Sequence, residues 1–401
     1  MCMYLFLIIF LLTLSSSNPL KTIPAVYGHS SHSFNMLLEL GSPAKTVYLT
    51  IDLSATRSWV TEYVYLPEQS KSRVNVGVHQ IRIGYIQFDS METNDVMRLT
   101  KDKYTLEHFH FDYLIGERPE GAYDTISLSF KNEDKKYSIV NQMVEEGLIE
   151  HKIFSFAPRD NSIGMLFFGE LPEEEVKNMY KTTCKVDNQY NTWGCSLDKV
   201  IIGSEVYQIN QDSQYIYFNT QDNDILAPAT FMAFIRENYL QPYLSDKRCN
   251  YQSGTESFYC NCDIIDKLPQ IMLIIDGQGV ELKGKALFSG YEPKCYLRIR
   301  QNNIHKTMWS MGCTFISEHV ISFDYDKEEI SIYSKSNLNI FLFNILSIMQ
   351  PDFVRRLLYV IMLLFVSGIA FLCCLKLKMS KYYIRHKEAK LLRNENFLAQ
   401  V

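Results

Sequence analysis

Two short stretches hold the residues whose types and spacing could do chemistry. IDLSATRSWV, Ile51 to Val60, sets one carboxylate, Asp52, between an apolar strand and a turn that ends in tryptophan. IYFNTQDNDILAP, Ile216 to Pro228, repeats the order of strand, polar residue and turn, with Asn219 at the matching position. A carboxylate takes up and returns a proton, whereas an amide of nearly the same shape can hold a water but does neither. Asp52 is therefore the candidate acid–base group and Asn219 its non-titrating counterpart.

Strands must position both. FNMLLEL, TVYLTIDL, HQIRIGYIQF, DTISLSF, KVIIGSEVYQI, YIYF, QIMLIIDG, HVISFDY and EISIYS alternate apolar and polar residues between Gly, Pro, Asn and Asp clusters, the pattern of short strands. The first strand is expected at Phe34. Helical patterns are few: Ser138 to Ile149, and Pro228 to Tyr239 with proline at its start. An all-β body with small helices follows. A lobe boundary is expected between Gly169 and Cys184, where the strands give way to ELPEEEVKNMYK.

The chain of 401 residues is 47% hydrophobic, enough to bury two lobes of ordinary domain size. Its formal charge of −5 has no basic stripe, which excludes nucleic acid as the expected partner. Residues 1–17 read as a secretory signal peptide, with an uncleaved anchor as the alternative. Leu357 to Leu375 is uncharged and long enough to span a bilayer. Lys376, Lys378, Lys381, Arg385 and Lys387 follow it, so residues 376–401 are expected to be a cytoplasmic tail and the body to lie on the lumenal or extracellular side. A single-pass type I protein of the secretory pathway or cell surface results. Of 10 cysteines, seven lie in that body, where disulfides are the default and an odd thiol is left over. Cys249, Cys260, Cys262 and Cys295 could alternatively hold zinc. Cys373 and Cys374, at the inner end of the span, are either palmitoylated or ordinary span residues. No Asn-x-Ser/Thr acceptor occurs.

The order of these motifs resembles the pepsin-like aspartic proteases over most of the body. GSPAKTVYLTIDLSATRSWV is similar to that family's opening run, with Trp59 and Val60 in place. YDTISLSF, SIVNQMVEEGLIEHKIFSFAPR and GMLFFGELP resemble its middle passage. WGCSLDKVIIG and YFNTQDNDILAPATFMAFI resemble its second catalytic turn, and CDIIDKLPQIMLIIDGQGVELKGKALF its closing disulfide segment. WSMGCTFISEHVISFDYDKEEISIYS resembles its last passage, with Gly312, Phe315, Phe323 and Asp324 present. The resemblance implies a bilobal all-β fold, with lobes over 28–175 and 176–336, and a cleft for extended peptide. It also implies disulfides Cys262 with Cys295, Cys249 with Cys260, and Cys184 with Cys195. No cofactor or metal is expected.

In that family each lobe donates one aspartate, and the two carboxyls share one proton because both cannot ionise at contact distance. Asp52 fills the first dyad position; the second is substituted by Asn219. Lacking a like-charged neighbour, Asp52 should be a simple carboxylate at neutral pH. Asp222 and Asp224 lie near, but moving the acid three positions would put it outside the turn. Where the family has Asp-Thr-Gly-Ser, this chain has Asp52-Leu53-Ser54-Ala55, and the second turn keeps only Thr220; Ser54 and Thr220 are the candidate supporting residues, and both family glycines are gone. Tyr85 is the candidate flap tyrosine, without the glycine-rich tip. Cys313 replaces an acidic position and reads as a buried, inert thiol. The segment before Phe34 is too short for an inhibitory propeptide. The expectation is a membrane-anchored, catalytically inactive or weakly active protein that binds extended peptide. An active aspartic endopeptidase and a structural or adhesion surface protein are the competing readings.

Overall fold

The computed structural model describes residues 21–29, 33–83, 86–99, 103–116, 123–130, 135–159, 163–254, 256–282, 284, 286–291 and 293–335, with 376 and 379. The expected signal peptide, the apolar segment 357–375, nearly all of the tail and Tyr85 lie outside the described residues. Among the described residues no helix is long and apolar enough to cross a membrane.

The body is all-β. Thirteen strands form one sheet in the spatial order Tyr180–Lys185, Glu329–Ser334, Val320–Asp324, Ile153–Pro158, Ile163–Gly169, Thr22–His29, Phe34–Leu40, Lys45–Asp52, Thr125–Ser127, Trp59–Val60, Tyr104–Leu114, Ile86–Leu99 and Val74–Ile83. Three smaller sheets, of five, four and four strands, are built from the second half of the chain. Strands from both halves thus share the large sheet.

Thr22–His29 corrects the expectation that strands begin at Phe34. Ile23, Ala25 and Tyr27 alternate into the core, and the strand pairs with Ile163–Gly169 from Thr22↔Gly169 to Gly28↔Ile163. Pro24 and Gly28 broke the pattern in the sequence, yet the backbone still fits the sheet. The first expected helix forms in a shorter version, Ile139–Glu145, while the second, Ala229–Ile235, continues through a π turn at Arg236–Leu240 into Gln241–Ser245, past its expected end at Tyr239. Ser138 caps the first by accepting from the Asn141 amide, and Pro228 stands just before the second.

Trp193 joins the halves. It is fully buried, its Nε1 donates to the Leu128 carbonyl at 2.7 Å, and Phe130, Phe154, Phe323 and Tyr325 surround it with ring centroids 4.8–5.7 Å away. Edge-to-face packing of this kind adds to the apolar burial itself.

All three expected disulfides are present: Cys184–Cys195, Cys249–Cys260 and Cys262–Cys295. The zinc alternative for the last four cysteines is thereby replaced by two covalent bonds. Cys313 is a buried free thiol, as expected, and burial pushes it up to about 12.

Candidate active site

The first turn is built where the strand Lys45–Asp52 runs parallel to Thr125–Ser127, pairing Thr50↔Thr125, Ile51↔Ile126 and Asp52↔Ser127. The Asp52 carbonyl then accepts from the Leu128 amide at 2.9 Å. Its side chain folds back over the turn: Oδ1 accepts from the Ser54 amide at 2.7 Å, the Ser54 hydroxyl at 2.7 Å and the Ala55 amide at 3.0 Å. Burial pushes the Asp52 carboxyl above the usual carboxylate range, and these hydrogen bonds pull it back only in part. Desolvation raises an acid without any charged neighbour.

The second turn repeats this construction. Tyr215–Phe218 runs parallel to Trp309–Met311, pairing Ile216↔Trp309, Tyr217↔Ser310 and Phe218↔Met311, and the Asn219 amide donates to the Met311 carbonyl. Asn219 Oδ1 accepts from the Gln221 amide at 3.0 Å, the same step of two residues that links Asp52 to Ser54. Its Nδ2 donates to Asp222 Oδ2 at 3.0 Å, and Ser310 Oγ donates to the same oxygen at 2.5 Å. Asp222 is therefore turned in beside Asn219, not outward. Burial pushes the Asp222 carboxyl up; Ser310, Asn219 and Arg300 pull it down and Asp224 opposes them. Asp224 itself is buried, with Arg298 Nε at 3.2 Å and Arg300 Nε at 2.7 Å.

Thr220 links the two turns. Its hydroxyl donates to the Ile51 carbonyl at 2.6 Å and accepts from the Leu53 amide at 3.2 Å, with no exposed surface. This places the turns bearing Asp52 and Asn219 against each other. Leu53 stands where a threonine would return the link; its apolar side chain is buried instead. Behind Thr220, Cys313 Sγ donates to the Thr220 carbonyl at 3.2 Å.

A second polar group, unforeseen in the sequence, joins the hairpin Val74–Ile83 and Ile86–Leu99 to the first turn. Arg57 Nη1 lies 2.8 Å from His79 Nε2 and 3.4 Å from Asp112 Oδ2, and His79 Nε2 lies 2.9 Å from Asp112 Oδ1. The Arg57 guanidinium also stacks over the Tyr137 ring at 4.0 Å. Burial pushes the Asp112 carboxyl up, against the pull of His79 and Arg57. Their separations along the chain, up to 55 residues, left no local signal. Trp59 packs under the same hairpin against Ile81 and Leu114.

The structure thus brings Asp52, Ser54, Asn219 and Thr220 into two abutting turns. A cavity of about 230 Å³ near Arg159, Glu318, His319 and Tyr333 contains no residue of either turn.

Comparison with known proteins bears on the fold. The sequence model described as eukaryotic aspartyl protease matches residues 71–335. The aspartic proteinase from Irpex lacteus superimposes with a TM-score of 0.62 at 13% identity, covering 79% of this chain and 98% of that one; this likeness shows the two-lobed fold alone. No curated protein matches the chain. With the family match covering well over half of its length, the chain belongs to the eukaryotic aspartyl protease family.

Proposed function

We propose that the protein is a pseudoprotease of the secretory pathway or cell surface, anchored through the apolar segment 357–375, that binds extended peptide without cutting it. The observation that carries this reading is the second turn, where Asn219 stands opposite the Asp52 turn across the Thr220 link. Peptide hydrolysis by paired carboxyls needs one group to take the proton of water and another to donate to the scissile carbonyl. Asp52 can serve one role. Asn219 can hold a water but cannot exchange the proton, so the cycle has no second partner.

Binding asks less of the site. Among the described residues the strand Val74–Ile83 ends the large sheet, with no described strand on its outer backbone edge, where an extended peptide could add as a further strand. Val74, Val76 and Val78 are exposed along it. Three disulfides suit a secreted or lumenal body.

Asp222, an acid 3.0 Å from Asn219, favours a second reading in which acid-dependent cleavage survives. The test is a mixed peptide library incubated with the full-length protein from acid to neutral pH, with Asp52→Ala alongside. Retained peptides and no cleavage support the pseudoprotease. Cleavage that vanishes in Asp52→Ala sinks it and leaves an active endopeptidase. Neither binding nor cleavage leaves a structural surface role.

A further inference from the structure

We propose that Asn219 and Asp222 form a coupled exchange: the acid of the second turn has moved three residues along the chain, and it would capture any acid restored at 219. The inference rests on the reading of the two turns as a degenerate dyad. Both ends of the Asn219 amide are fixed, Oδ1 by the Gln221 amide and Nδ2 by Asp222 Oδ2, each at 3.0 Å. Asp222 is fixed in turn. Ser310 Oγ donates to its carboxylate at 2.5 Å and the Cys313 amide to its carbonyl at 2.7 Å.

The backbone behind it cannot withdraw. A Cβ on Gly312 would come within 2.3 Å of the Asp222 carbonyl and 2.2 Å of that of Asp224, so the segments are already in contact. An acid at position 219 would therefore set a carboxylate oxygen about 3 Å from Asp222 Oδ2, and two carboxylates that close cannot both ionise. They would share one proton inside the second turn, and the proton would not be shared with Asp52. The first turn has no such rival: its third residue is Ala55, whose amide supports Asp52. Asp222 is thus a positioning residue that keeps position 219 an amide. The change that looks like a simple repair is blocked, and the reciprocal exchange, Asn219→Asp with Asp222→Asn, keeps shape and charge count while returning the acid to 219.

The test compares thermal melting from acid to neutral pH for the full-length wild type, Asn219→Asp and the reciprocal exchange, together with cleavage of the peptide library. Asn219→Asp should melt several degrees below wild type near neutral pH and recover toward acid, because protonation relieves the repulsion. The exchange should follow the wild type across the range. Cleavage should appear at acid pH in the exchange, at least about tenfold above Asn219→Asp, and be lost when Asp52→Ala is added. An Asn219→Asp protein that melts like the wild type at every pH, or cleaves as fast as the exchange, overturns the proposal. So does an exchange that stays silent. Should Asn219→Asp fail to fold, rescue by Asp222→Asn supports the coupling and lack of rescue overturns it. Cleavage by the wild type would sink the pseudoprotease reading without touching the melting comparison.

Discussion

The first and second turns share a backbone plan and differ in where they keep their charge. Each follows a strand held parallel to a partner, and each has a side-chain oxygen accepting from the amide two residues on. In the first turn that oxygen belongs to the acid itself. In the second it belongs to an amide whose other end is tied to a displaced acid. The arrangement of the strands survived the exchange because hydrogen-bond geometry, not charge, holds each turn. What changed is which atoms can carry a proton.

The comparison is most easily broken at Gly312. Alanine there would drive its Cβ into the carbonyls of Asp222 and Asp224, and overpacking against backbone should cost more than about 3 kcal/mol. Failure of Gly312→Ala to give a cooperative melt is expected. A stable variant would show the second turn to be loosely backed and Asn219 free to move.

Thr220→Val comes next. It leaves the Leu53 amide without a buried acceptor and the Ile51 carbonyl without this donor, for a loss of about 2 kcal/mol by urea denaturation. A loss near zero would mean that the turns do not depend on the link.

Asp52→Asn sharpens the contrast in titration. The folded carboxyl lies above its unfolded value because of burial, so the native state holds the proton more tightly. Stability therefore falls as pH rises from the unfolded value through the raised folded one. The variant should remove that slope, so that its stability relative to wild type rises from acid to neutral pH. An unchanged slope would place the titration elsewhere.

The smallest effect belongs to Cys313→Ser. The hydroxyl can replace the thiol as donor to the Thr220 carbonyl, so the melting free energy should change by less than about 1 kcal/mol. The wild-type thiol, buried and pushed up to about 12, should resist alkylation until the protein unfolds. Rapid labelling of the native protein would expose an opening behind the second turn.

Much of this was legible in the sequence because it is local. Alternating apolar strands, the two helix starts and the duplicated strand-and-turn pattern all follow from residue order over a dozen positions, while Thr220 was singled out through the likeness to a family. The disulfide pairs came through the likeness to a family, since spacing alone leaves several connectivities open. Thr22–His29 was hidden because Pro24 and Gly28 interrupt its pattern, although neither prevents antiparallel pairing at this place in the sheet.

Sequence alone determined which groups exist: a carboxylate at 52, an amide at 219, one hydroxyl at 220 and two nearby acids. Only the tertiary structure decided what those groups do to one another. Asp222 looked outward by counting positions, but Ser310 and the contact at Gly312, both from a strand and helix some 90 residues away, turn its carboxylate onto Asn219. The raised Asp52 carboxyl likewise has no local cause. It follows from the burial of the Asp52 carboxyl itself, although Ser54 beside it is exposed, and desolvation is a property of everything packed around a group rather than of its neighbours in the chain.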